Sequence, residues 1–468
     1  MIAREFAKPW VNTSGDVDYF KNIDNCILDA QQAALDEATG PADPANFGEL
    51  MARLNVCRDK LPPLYRENVV KPYAETLNAL GDFGFNEILL RDIDRTGEAC
   101  LMLDLAQSIL QHGEGYDRKA TQAYQEVVCD LYDGFLSAED RRNIKPPDLE
   151  VIAPLVKWGN PESGPYTWPA DATIEFHIKT AIVNLPPANA QRGILAWAAL
   201  GHETAGHDII HADEGLIKEL GDCLFNALQD ANLTPIMPDY WASRIDETAS
   251  DVLGILNMGP AAGISLVCYF RALNAAYGGK AALRNTGPDN DPHPADILRG
   301  YVAASVVRLL NFGKASEWAT AIEAETDKDL TTIRLGSNNT LITPDEAKLA
   351  ADIVASCLVQ TKMRCLDNHA FGEIQNWHDS DEQIVKKIRS LLKISDPLPE
   401  LYDKGVYAAH VVAAAVTEAL VGNTEIPVLF ARMINILKAL HDRNPSWGPL
   451  YIKHPGNTVP VRAYIRGG

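Results

Sequence analysis

A mainly α fold with a small β element, built from many helices, is what this sequence predicts, on three observations. Apolar residues recur at spacings of three and four through most of the 468 residues, the period of one helix face. Clusters of proline, glycine and asparagine break that pattern into helix-length pieces. Only Thr173–Val183 mixes β-branched and aromatic residues with partial alternation, the signature of a strand.

Taken in order, Asp18–Leu35, Phe47–Asp59, Pro63–Leu80 and Cys100–Gln111 each carry the helical period. Gly40-Pro41-Ala42-Asp43-Pro44 and Lys60-Leu61-Pro62-Pro63 separate them. Between Pro146 and Pro169 the chain becomes irregular and aromatic, with Tyr166 and Trp168 among prolines and glycines. The expected strand follows and stops at Leu185-Pro186-Pro187, after which a helix opens near Asn189 and runs through Leu200. Beyond residue 245 the period is helical again, interrupted by loops at Gly278–Pro294 and Gly336–Pro344, with an irregular tail from Asn444. The chain therefore divides into a helical region 1–145, a mixed region 146–320 and a helical region 321–468.

Composition narrows the function. Lysine and arginine total 42 against 63 acids, a net charge of −21, which repels nucleic-acid phosphates and anionic lipid. Neither nucleic acid nor membrane is expected as a partner; a peptide or small-molecule substrate is. Met1–Trp10 has no apolar core of a secretory signal, and the greasiest run, Ala408–Gly422, is too short to span a bilayer and contains His410 and Glu418. Eight scattered cysteines without a Cys-x-x-Cys pair read as reduced, mostly buried thiols. These features point to a cytoplasmic protein.

Chemistry concentrates in Gly201-His202-Glu203-Thr204-Ala205-Gly206-His207-Asp208-Ile209-Ile210-His211, which holds three of the eleven histidines. Imidazoles interleaved with carboxylates suit a metal. At about 100° per residue, Glu203, His207 and His211 share one helical face, while His202 lies about 140° from His207. A regular helix would thus pair His207 with His211. One extra residue in the turn, a π-bulge eased by Gly206, would pair His202 with His207 and set Glu203 beside the ion. About forty residues downstream, Glu247 and Asp251 stand four apart on one face of Ile245–Gly254. One carboxylate can bind a metal while the other accepts the N–H of a ligand histidine.

Ile245-Asp246-Glu247-Thr248-Ala249-Ser250-Asp251 resembles the glutamate helix of thermolysin-like gluzincins, and His202-Glu203-Thr204-Ala205-Gly206-His207 is similar to the expanded His-Glu-x-x-x-His motif of the dipeptidyl peptidase III family. The two motifs fall within residues 202–251, about a tenth of the chain; the peptidase family begins its second motif Glu-Glu where this chain has Asp246-Glu247. The resemblance implies a zincin-like catalytic region within 146–320 and a Zn2+-dependent metallopeptidase. In it His202, His207 and Glu247 would be ligands, Glu203 the general base and Asp251 the partner of a ligand histidine. His211 has no counterpart in the borrowed pattern and stands as an alternative ligand.

For a donor to the developing oxyanion the sequence offers His293 and Tyr301, within Asp291-Pro292-His293-Pro294 and Arg299-Gly300-Tyr301. The strand before the histidine cluster is a candidate edge for pairing with an extended peptide. A second reading takes His177, His207, Asp208 and Asp251 as the set of an HD-domain-like metal-dependent phosphohydrolase, and a third takes the chain as a non-catalytic helical metal-binding protein. Gly259-Pro260-Ala261-Ala262-Gly263 lacks the lysine of a phosphate loop and reads as a helix break. No Gly-x-Ser-x-Gly elbow supports serine hydrolysis. His369, His378, His410, His441 and His454 are dispersed and read as structural, and Trp168, Trp197, Trp241, Trp318, Trp377 and Trp447 as core or pocket lining.

Overall fold

A computed structural model describes residues 20–137, 141, 143–149, 151–178, 180–394 and 405–448. Met1–Trp10, His454 and the end of the tail lie outside the described residues.

Helices dominate, joined by two three-stranded sheets. The first expected helices form as Ile23–Ala34, Phe47–Arg58 and Glu98–Glu114. Local chemistry sets their ends. The Asn46 side chain accepts the Glu49 N–H to cap the second, and Gly115 closes the third in a left-handed conformation. The Pro63–Leu80 segment opens with a short helix and a π-turn, Arg66–Val70, and continues as Lys71–Arg91 across a kink at Gly81, whose φ is 66°. Further on, Leu216–Asp230 buries Leu216, Leu220, Leu224 and Leu228 at strict four-residue spacing, an apolar stripe facing inward. Gly259, at φ 68°, breaks the chain before Pro260 starts the next helix, as the helix-break reading expects.

The strand expected over Thr173–Val183 is corrected. Ala170–Thr173 is a helical turn, Ile174–Phe176 a 3-10 turn, and His177 reverses the chain at φ 58°. The Thr173 hydroxyl lies 3.0 Å from the carbonyls of both Ala170 and Ile178, so side-chain hydrogen bonding closes a turn where propensity favours extension. Extended structure begins only at β3 (Ile182–Leu185), which pairs parallel with β1 (Leu155–Trp158) and antiparallel with β2 (Tyr166–Trp168). β3 is the middle strand, so it offers no free edge; β2 is an edge strand. The helix expected from Asn189 starts at Ile194, after Gly193 at φ 77°. The two loops read at 278–294 and 336–344 contribute strands to a second sheet of β4 (Thr286–Gly287), β5 (Ile333–Leu335) and β6 (Thr340–Ile342), each too short for an alternation signal.

Asp104 explains the aromatic segment. Its carboxylate pairs with Lys157 on β1 and accepts the Tyr166 hydroxyl at 2.6 Å and the Trp168 indole N–H at 2.8 Å on β2. The sheet is thereby pinned to the Glu98–Glu114 helix. One continuous apolar core runs from Ile23 to Trp447, so all three sequence regions pack together. Among the described residues no helix is long and apolar enough to cross a membrane; Ala408–Val421 is a buried core helix.

Candidate metal centre

Two helices build the site: Ile194–Ala205, the histidine helix, and Ile245–Met258, the glutamate helix. They cross at glycines. A Cβ on Gly201 would lie 3.1 Å from the Gly254 Cα, and one on Gly254 would lie 2.9 Å from the Gly201 carbonyl carbon. This backbone-to-backbone approach sets His202 opposite Glu247 and Asp251.

The π-bulge expected between His202 and His207 does not form. The histidine helix ends at Ala205, 206–208 form a turn, and Ile209–His211 is a separate 3-10 turn. Gly206 makes this possible because a Cβ there would fall 1.7 Å from Ser250 Oγ. The turn carries His207 back beside His202, with ring centroids 4.8 Å apart at 84°. His211 therefore leaves the helical face that it would share with Glu203 and His207.

His202, His207 and Glu247 offer ligand atoms that all lie within 4.8 Å of one another, the one such group of three or more among the described residues. The two Nε2 atoms are 3.1 Å apart, His202 Nε2 is 3.3 Å from Glu247 Oε2, and His207 Nε2 is 3.4 Å from Glu247 Oε1. Across the ring, His202 Nδ1 is 2.8 Å from Asp251 Oδ1. A proton on Nδ1 leaves the Nε2 lone pair facing the group. Only one proton fits between two facing Nε2 atoms, and buried Glu247 Oε2 has no hydrogen-bond partner. A concentration of acceptor atoms of this kind is satisfied by a cation, and these three residues can hold a metal ion.

With no metal bound, the same carboxylates favour a second proton on His202 in the cation's place. Burial alone would depress the His202 pKa, but Asp251 and Glu247 outweigh it and hold it up at about 10. Burial opposes ionisation of Glu247, yet His202, Arg299 and His207 bring its pKa down to about 2. Asp251 is likewise held below the usual carboxylate range, against burial, by Arg299 and His202. Arg299 is the basic residue beneath this network, and its guanidinium also stacks 4.4 Å from the Phe270 ring centroid.

A cleft of about 320 Å³ opens beside the group, lined by polar His202, Glu203 and His293 and by apolar Leu266, Tyr269 and Phe270. Glu203 is buried, and its Oε2 lies 3.0 Å from the hydroxyl of Thr167 on β2. His293 Nε2 is 3.3 Å from Glu247 Oε1, while its Nδ1 is 3.0 Å from Asp291 Oδ1. The loop that bears it is held by Arg284, which bonds both Asp291 and Asp296.

The remaining candidates fall elsewhere. Tyr301 donates to Asp327 Oδ1 at 2.8 Å and does not line the cleft. Two helical residues from Arg299 is about 200° around the axis, so the face that presents Arg299 turns Tyr301 away. His211 lies between Asp171 and Asp246, outside the ligand group. His177 is exposed, and buried Asp208 accepts the Ala170 N–H, so neither joins His207 and Asp251 in a common group. Sequence reasoning missed Thr167, the crossing glycines and the bonding role of Arg299. Gly254 sits inside the acidic motif, yet nothing local marks its partner. Comparison with protein-family models, curated proteins and solved structures finds no match.

Proposed function

We propose that this chain is a zinc-dependent hydrolase, and most simply a metallopeptidase of gluzincin type, with Glu203 as general base. The observation that carries the reading is the convergence of two imidazole Nε2 atoms and one carboxylate beside an open cleft. Two histidines and a carboxylate with a free side form a common donor set for catalytic zinc. When bound, the ion supplies Lewis acidity, making water a nucleophile near neutral pH and polarising a carbonyl oxygen.

The protein groups take the remaining roles. His202, His207 and Glu247 would hold the ion, and Asp251 fixes the tautomer of His202. Glu203 shares the cleft with His202; its carboxylate would accept a proton from the attacking water and deliver it to the leaving amine. The Thr167 hydroxyl, 2.9 Å from the Glu203 carbonyl and 3.0 Å from its carboxylate, ties this residue to β2. His293, half exposed at the cleft, faces Glu247 through Nε2; with that carboxylate engaged by a cation, its N–H would be released to donate to the oxygen on which negative charge develops.

Metal analysis of the purified chain should give about one zinc per molecule. Glu203→Gln should keep that zinc and abolish cleavage of a fluorogenic peptide library, whereas Glu247→Ala should lose the zinc. Full hydrolytic activity in Glu203→Gln sinks the mechanism. Zinc binding without turnover of any peptide in the unsubstituted chain favours a non-catalytic metal protein.

A further inference from the structure

The third histidine of the cluster has a place in the geometry that the ligand set does not use. His211 Nδ1 is 3.2 Å from Asp171 Oδ2, and its Nε2 is 3.5 Å from Asp246 Oδ2. The other oxygen of the same carboxylate, Asp246 Oδ1, is 3.5 Å from His207 Nδ1. Acid and imidazole thus alternate from Asp171 through His211 and Asp246 to His207. We propose that His211 is a positioning residue, which holds Asp246 against His207 and so fixes the ring that presents Nε2 to the metal.

The need for such a clamp follows from the unequal surroundings of the two ligand histidines. The partner of His202 is Asp251, 2% exposed and gripped by Arg299. His207 depends on Asp246, whose side chain is 42% exposed and free to rotate toward water unless its second oxygen is occupied. His211 Nε2 faces it at an ion-pair distance of 3.5 Å, without hydrogen-bond geometry, from the 3-10 turn Ile209–His211. That turn begins two residues after His207, so the ligand and the clamp are set by one short piece of backbone. Outer partners of this kind orient ligand imidazoles and raise their basicity, and losing one typically weakens metal binding about 10–100-fold. His211 itself stands outside the ligand group.

The inference rests on the metal-centre reading, and zinc affinity separates the two. Zinc is titrated into the metal-free full chain against a chromophoric chelator, with no substrate present. His211→Ala should weaken zinc binding about tenfold or more, and His211→Gln, which keeps an N–H for Asp246, should recover most of the loss. Asp246→Asn combined with His211→Ala should bind no more weakly than Asp246→Asn alone, because His211 acts only through Asp246. If His211→Ala does not fold, Asp171→Asn carries the test, with a smaller loss in the same direction. Unsubstituted chain that takes up no zinc overturns the metal centre itself. Tight binding undiminished in His211→Ala, or additive losses in the double variant, overturns the role of His211 alone.

Discussion

Arg299 grips Asp251 through two hydrogen bonds, Nε to Oδ2 at 2.7 Å and Nη2 to Oδ1 at 2.8 Å, with both side chains no more than 5% exposed. A bidentate guanidinium–carboxylate pair of this geometry satisfies charges that burial would otherwise penalise heavily. Removing Arg299 leaves buried Asp251 with His202 as its remaining charged partner. Arg299→Leu should therefore lower the unfolding free energy by roughly 3–5 kcal/mol, measured by chemical denaturation. A loss below about 1 kcal/mol, the scale of an exposed pair, would show that His202 alone suffices to hold Asp251.

Gly206 is packed against the glutamate helix more tightly than any side chain permits. A Cβ there would overlap Ser250 Oγ and Cα, at 1.7 and 2.1 Å, although the backbone, at φ −86°, would accept alanine. Gly206→Ala should cost at least the 1–3 kcal/mol typical of an overpacked site, and it should weaken metal binding by displacing His207. The thermal midpoint and a zinc titration check both effects. Unchanged values for both would mean that the 206–208 turn is free to move.

A separate acid sensitivity is expected far from the site. His112 lies against Trp447, ring centroids 4.6 Å apart, and burial, with His441 nearby, presses its pKa from 6.5 down to about 3. The unfolded chain thus binds the extra proton first as pH falls from about 6.5 toward 3. Stability present above pH 6.5 is progressively lost through that window, at up to about 1.4 kcal/mol per pH unit for one group. His112→Gln should retain at pH 4 a larger share of its neutral-pH stability than the unsubstituted chain. Equal shares in the two proteins would place the titrating group elsewhere.

Chelation should lower the melting temperature, because a ligand bound only by the folded state adds about 4 kcal/mol when free at a thousand times its Kd. Returning zinc should restore the midpoint in the unsubstituted chain and leave Glu247→Ala unmoved. A midpoint indifferent to chelator in both proteins contradicts a tightly held ion.

Much of this arrangement was legible in the chain. Helical period found the main helices to within a few residues at Phe47–Arg58 and Glu98–Glu114, and the four-residue spacing of Glu247 and Asp251 put both on one face of a real helix. What failed was set by contacts distant in sequence or by turn chemistry. The Thr173 hydroxyl bonds turned an expected strand into a reversal. The Gly206–Ser250 contact accompanies a helix end where an unbroken, bulged helix was expected. Arg299 and Thr167 reach the site from 48 and 36 residues away, and no local pattern announces such meetings.

The crossing of Gly201 and Gly254 has a consequence for how the protein can vary. Since neither residue has a side chain, the spacing between the two ligand-bearing helices is already at its floor. Every substitution at either position adds atoms and pushes in one direction only, widening the gap. Tolerance here is one-sided: a library randomised at both codons should return functional clones almost solely as the starting pair, while the apolar cleft wall at Leu266 and Phe270 accepts a broader alphabet.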